Sequence, residues 1–131
     1  MVKDIFFYYK DDVDMSESNV FYCVLENIYS KLELNKAYDQ QFKFPYFGFN
    51  WDALEDSLCG LDERMKEKKI LIIHKNLPQL GEKDFRIYIS VLYDVCELWE
   101  KYPDVLEIKV YFPLEYKSII QEILRNINSI F

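Results

Sequence analysis

Glycine is scarce in this 131-residue chain, occurring only at Gly48, Gly60 and Gly81. Three scattered glycines write neither the dinucleotide-binding nor the phosphate-loop pattern, which needs several backbone N–H groups turned toward one phosphate. Histidine occurs once, at His74. It ends an apolar run with no Ser, Cys or Asp at a useful distance in sequence, so it reads as a strand-end polar residue and not as a general base. The cysteines, Cys23, Cys59 and Cys96, form no Cys-x-x-Cys pair and lie far from His74, which argues against a zinc site. Each is expected to be a reduced, buried small hydrophobe in a cytoplasmic protein. The longest unbroken apolar run, Val20 to Leu25, spans six residues, where a membrane span needs about twenty. Met1-Val2-Lys3-Asp4 brings an acid ahead of any long apolar stretch, unlike a signal peptide. Positive charge is short as well: 16 Lys+Arg stand against 23 Asp+Glu, for a net charge of -7 and a pI near 4.7. Such a balance makes nucleic acid and anionic membranes poor partners and a basic protein a favourable one.

What is present suffices for a core. Half of the residues are hydrophobic and 18% are aromatic, which fits one globular domain over residues 1–131 and excludes disorder as the main state. Ile5 to Tyr9 reads as a short buried strand. A helix is expected next, with Ser16, Ser18 and Asn19 offering N-cap oxygens and Phe21, Val24, Leu25, Ile28 and Leu32 at helical spacing. The polar stretch from Lys31 to Lys43 reads as a loop or an insertion. A short helix follows Asn50 and ends at Gly60. Lys69 to His74 has the continuous apolar pattern of a central strand. From Lys83 to Tyr102, Phe85, Tyr88, Val91, Leu92, Val95, Leu98, Trp99 and Tyr102 trace the stripe of a long helix that Pro103 ends. Val105 to Phe112 reads as a third strand, and Pro113 opens a last helix in a 113–131 extension. Alternating strands and helices predict an α/β fold: a three-stranded parallel sheet with helices packed against it, plus an extra C-terminal helix.

The acid is unevenly spread. Between Lys43 and Arg64 stand Asp52, Glu55, Asp56, Asp62 and Glu63 and no base, so the rest of the chain holds 18 acids against 16 bases and is nearly neutral. At about 100° per residue on a helix, Asp52, Glu55, Asp56 and Cys59 share one face, and Trp51, Leu54, Leu58 and Leu61 share the opposite one. Six rings, Phe42, Phe44, Tyr46, Phe47, Phe49 and Trp51, precede or open this helix. An acidic run is ordinarily a solvated face and clustered aromatics are ordinarily core. Yet Asp52, Glu55 and Asp56 repel one another at i, i+3 and i+4 with no base interleaved, and acids flanked by aromatics suit a contact surface for a basic protein. A paired-carboxylate hydrolase fits less well, because acids adjacent on one exposed helix face offer neither a cleft nor a separation of roles. No set of residues points to a catalytic group, a cofactor or a metal.

Phe44-Pro45-Tyr46-Phe47-Gly48-Phe49-Asn50-Trp51-Asp52-Ala53-Leu54-Glu55-Asp56-Ser57-Leu58-Cys59-Gly60 resembles the P-x-Y-Y-G-x-N-x-D-A-L-x-D-x-L-x-G segment of the barstar family, intracellular inhibitors of secreted barnase-like ribonucleases. The resemblance is specific over residues 45–60 and extends by element order over 5–112. It implies that the loop and acidic helix plug a ribonuclease site, with carboxylates standing in for RNA phosphates. By position, Tyr46 becomes the stacking tyrosine, Asp52 the first aspartate and Asp56 the dominant one. Cys59 and Gly60 fall at the helix end that meets the partner, and aligning Ser90-Val91-Leu92 places a further acid at Glu97. The chain departs from the pattern in four ways: one residue fewer after the proline, Glu55 in place of a tryptophan, the stretch from Lys31 to Lys43, and the helix after Pro113. The resemblance implies an immunity protein against a bacterial ribonuclease toxin. Glu55 and the added helix keep open an alternative, a binding module for a different, non-ribonuclease basic partner.

Overall fold

A computed structural model describes residues 3–127. Its sheet has four strands and not three, all parallel, in the order β1-β4-β3-β2. β1 is Phe7–Tyr9, β2 Val20–Leu25, β3 Lys69–His74 and β4 Glu107–Pro113. The helices are α1 Lys31–Phe42, α2 Trp51–Cys59, α3 Glu82–Glu100 and α4 Lys117–Ile127, with 3-10 turns at Leu61–Glu63 and Leu114–Tyr116.

The additional strand is β2, where a helix is expected. Every position of an unbroken apolar run satisfies helical and strand spacing alike, and the β-branched and aromatic content of Val20, Phe21, Tyr22 and Val24 decides for the strand. Asn19 (φ 62°) and Asn27 (φ 55°) turn the chain at its two ends through the left-handed region that asparagine tolerates. Asn19 is therefore a turn residue and no cap, and Ser16 bonds the Asp14 carboxylate instead.

Lys31 to Lys43 is a helix and its C-cap, not a loop. Ser30 is the N-cap, its Oγ accepting from the Glu33 N–H at 3.1 Å, while the Glu33 carboxylate accepts from the Tyr29 N–H at 3.2 Å. Lys43 closes the helix in the left-handed conformation and donates its N–H to Asp39 O. The apolar stripe of α1 is narrow, Leu34, Tyr38 and Phe42 at four-residue steps with Asn35 buried beside Leu34, and Phe42 lies against Phe21 of β2 at 4.8 Å between ring centroids.

The remaining elements agree closely with expectation. β3 is central and buried from Ile70 to His74. Gly81 (φ 83°) turns the chain into α3 through a conformation that a side chain would strain. α3 buries Tyr88, Ile89, Val91, Leu92, Val95, Cys96 and Trp99, while Tyr102 lies beyond its end and is exposed. The first strand is shorter than Ile5 to Tyr9, Phe6 giving its N–H to the Asp4 carboxylate, and it is not the buried strand expected, since as an edge strand it leaves Phe7 41% exposed. α4 follows a 3-10 turn after Pro113 and packs against α3; the rest of the expected extension, residues 128–131, lies outside the described residues. His74 ends β3 as expected but is fully buried and hydrogen-bonded at both ring nitrogens. Cys23 and Cys96 are buried, whereas Cys59 is only half-buried.

Candidate functional site

α2 forms where the sequence places it. Asn50 caps it, Oδ1 accepting from the Ala53 N–H at 2.7 Å, and Asp52 puts a negative charge in the first turn, where the helix dipole favours one. Leu54, Leu58 and Leu61 are fully buried and anchor one side. Both ends are also fastened to α3: Trp51 Nε1 donates to the Asp84 carboxylate at 3.3 Å, and Trp99 Nε1 donates to the Leu58 carbonyl at 3.1 Å. The second bond satisfies one of the carbonyls that a helix C-terminus leaves unpaired.

The loop before α2 is braced by rings. Phe42, Phe44, Phe47 and Phe49 follow one another at centroid distances of 5.4, 5.1 and 5.0 Å. Arg64 Nη2 donates to the Lys43 carbonyl at 2.7 Å, and its guanidinium lies 5.7 Å from the Phe44 ring centroid. Phe42 and Phe44 belong to the core, so part of the aromatic cluster is structural. Phe49 is partly open to solvent, and Tyr46 stands furthest out, 96% exposed.

On the outer side, Asp52 and Asp56 are exposed and Glu55 and Cys59 are half-buried. Glu55 meets Asp94 of α3, a residue that sequence reasoning missed. Partial burial raises the Glu55 carboxyl above its ordinary range, and Asp94, Asp56 and Asp52 raise it further. Asp94 is raised by partial burial of its carboxyl and by Glu97, while the hydrogen bond shared with Glu55 acts in the opposite sense. The two carboxyls thus share a proton more readily than isolated ones would. Cys59 is pushed up to about 11 by burial and then by Glu55, Asp56 and Asp94, so its thiol stays protonated and is no nucleophile. Glu97, exposed one helical turn beyond Asp94, carries the negative charge on along α3 and bonds Tyr93.

The structure therefore brings Asp52, Glu55, Asp56 and Cys59 of α2 together with Asp94 and Glu97 of α3. Gly60 is the C-cap of α2, its N–H bonded to Ser57 O. Asp94 had one signal in the sequence: it lies three residues before Glu97 and shares its helix face. None of the ion pairs among the described residues uses an acid of this surface. Among the described residues no group of three or more His, Cys, Asp or Glu is arranged to hold a metal ion, and no helix is long and apolar enough to cross a membrane.

Residues 18–111 match the model of the family described as Barstar (barnase inhibitor). The match begins just before β2 and takes in α1, α2, β3, α3 and most of β4, so the stretch from Lys31 to Lys43 lies within it and β1 lies outside it. α4 lies outside it too, and the two outer elements are tied together, the Asp4 carboxylate accepting from Tyr8 Oη at 2.9 Å and from Gln121 Nε2 at 3.0 Å. No curated protein and no solved structure matches the chain. With more than half of its length matched across both helices of the acidic surface, the chain belongs to the barstar family, a family of inhibitors and not of enzymes.

Proposed function

We propose that this chain is a cytoplasmic immunity protein, one barstar-like domain with a helical extension, that binds a basic bacterial ribonuclease toxin and covers its RNA site. Tyr46, Asp52, Glu55, Asp56, Cys59, Gly60 and Glu97 form the contact surface, with Asp94 added to them. One observation carries this reading: the exposed, base-free acidic face of α2 lies inside the segment that matches the barnase-inhibitor family. An acidic surface raises the encounter rate with a basic partner and makes it salt-sensitive, and carboxylates that lose water against arginine or lysine slow release. Tyr46 is an aromatic anchor already held outside the core, of the type enriched at contact hot spots.

The test is inhibition of RNA cleavage by a basic barnase-like ribonuclease. The wild-type chain abolishes cleavage at stoichiometric amounts, and Asp56→Ala weakens binding by at least about 2 kcal/mol, roughly thirtyfold. Unchanged affinity of that variant overturns the site assignment. A second reading, a module for a different basic protein, is favoured by Glu55, which stands where the family pattern has a tryptophan and whose carboxyl pairs with that of Asp94. Binding to a basic protein without any effect on RNA cleavage selects that reading.

A further inference from the structure

β2 is the terminal strand on one side of the sheet. The outer backbone of a terminal strand is a template on which another strand can pair. Along a strand of a parallel ladder, successive residues turn their N–H and C=O alternately toward the two flanks. Leu25 faces inward, its carbonyl accepting from the Lys75 N–H at 2.9 Å, so Val24 faces outward.

Both outward groups of Val24 are occupied by one side chain. Gln41 Oε1 accepts from the Val24 N–H at 2.8 Å, and Gln41 Nε2 donates to the Val24 carbonyl at 2.8 Å. A carboxamide has one acceptor and one donor side in a single plane, as a peptide group does, so Gln41 supplies the two bonds that a residue of a neighbouring strand would make. It reaches there from the last turn of α1. Holding a glutamine in one rotamer costs side-chain entropy, and two well-formed hydrogen bonds offset that.

We propose that Gln41 closes the β2 edge against strand addition by a second copy of this chain. The occupant follows from β2 itself. Val20–Leu25 is a six-residue apolar strand, of the usual length for pairing, and the same segment on two copies meets itself antiparallel about a two-fold axis. At the other edge β1 has three residues, too few to serve as a template, and no comparable guard is needed there.

The test is the association state of Gln41→Ala and of Gln41→Met, which keeps the length and packing of the side chain without its hydrogen bonds. Sedimentation velocity over a micromolar to submillimolar range is read beside amide exchange at β2. The wild type stays monomeric with the Val24 amide protected. In the variants the association constant for a dimer rises roughly tenfold or more, about 1.4 kcal/mol, and the Val24 amide exchanges fast when dilute and slowly when concentrated. Variants that fold and stay monomeric throughout overturn the proposal, as does a wild type that dimerises through β2. Loss of fold in both variants overturns it as well, since Gln41 would then be a strut for α1 and not a guard.

Discussion

Replacing Tyr88 by phenylalanine removes one oxygen and leaves two buried groups unpaired, because the hydrogen bonds around it have a direction that the geometry dictates. His74 Nδ1 lies 2.9 Å from the Tyr111 carbonyl, which only accepts, so Nδ1 carries the proton. The ring is neutral, burial holding its pKa down to about 4, so Nε2 is an acceptor. Tyr88 Oη, 2.7 Å away, donates to it, and Tyr38 Oη, 2.6 Å from Tyr88 Oη, must then donate to Tyr88. All three side chains are fully buried. Tyr88→Phe leaves two groups without partners, the Nε2 lone pair and the Tyr38 hydroxyl, at about 1–3 kcal/mol each, so the expected loss is roughly 2–6 kcal/mol. Tyr38→Phe only takes a donor from an oxygen that still donates onward, a loss of about 0.5–1.5 kcal/mol. In the double variant the orphaned Tyr38 hydroxyl is gone and only the Nε2 lone pair lacks a partner, so the two losses sum to more than the double variant shows, by roughly 1.5–4.5 kcal/mol. Urea unfolding at pH 7, followed by fluorescence and circular dichroism, measures all three. Equal losses for the two single variants, or additivity within about 0.5 kcal/mol, refutes the assigned direction. The effect reaches the candidate site, since the Tyr88 ring lies 5.9 Å from Trp51, the first residue of α2.

His74 also makes stability pH-dependent. Its folded pKa of about 4 lies below the unfolded value near 6.5, so the unfolded chain binds the proton first. Its contribution is complete above about pH 6.5 and is lost as pH falls toward 4, by up to roughly 3 kcal/mol; imidazole NMR signals of the folded protein stay in the neutral form through that window, and a midpoint near 6.5 contradicts the burial argument. Glu55 and Asp94 act in the opposite sense, since raised carboxyl pKa values disfavour the folded state once both groups are ionised. Asp94→Asn therefore raises the unfolding free energy measured with urea at pH 7 by a few tenths of a kcal/mol, as for exposed charge pairs, and the gain shrinks as the pH approaches 4. Asn50→Ala removes the cap of α2 and costs about 1 kcal/mol, seen as lower thermal stability and faster amide exchange at Ala53.

The parts of the fold legible in the sequence are those where a single period was available. β3, α2 and α3 each offer an unambiguous pattern with a stop signal, and all three appear within a residue or two of expectation. β2 failed because six apolar residues in a row carry no period, and Ile28 and Leu32 extended a false helical reading beyond the Asn27 turn; Leu32 is in fact 53% exposed. α1 failed for the converse reason. Its buried apolar residues come one per turn, Leu34, Tyr38 and Phe42, and the polar residues between them, the buried Asn35 included, hide the stripe. Within α2, helical spacing set Asp52, Glu55 and Asp56 on the side away from Leu54 and Leu58, and the burial of the two leucines agrees with that. Asp94 was hidden because its pairing with Glu55 depends on how α3 crosses α2, which no local spacing encodes.

The acidic surface sets a contest that magnitudes decide. Repulsion among Asp52, Glu55, Asp56, Asp94 and Glu97 pushes α2 away from α3, but exposed like charges in water are worth only tenths of a kcal/mol per pair. Against it stand Leu54, Leu58 and Leu61, all fully buried, at about 1.5–3 kcal/mol each, and the indole bonds of Trp51 and Trp99 at the two ends of α2. Packing wins by several-fold, so the carboxylates are held in place although they oppose one another. A surface fixed in this way needs no ordering when a basic partner arrives, and the repulsion stored in it is relieved by that partner's charge. Salt screens the long-range approach of a partner more than it screens carboxylates about a helical turn apart. The proposed association is therefore expected to slow steeply with ionic strength while the stability of the free protein changes little.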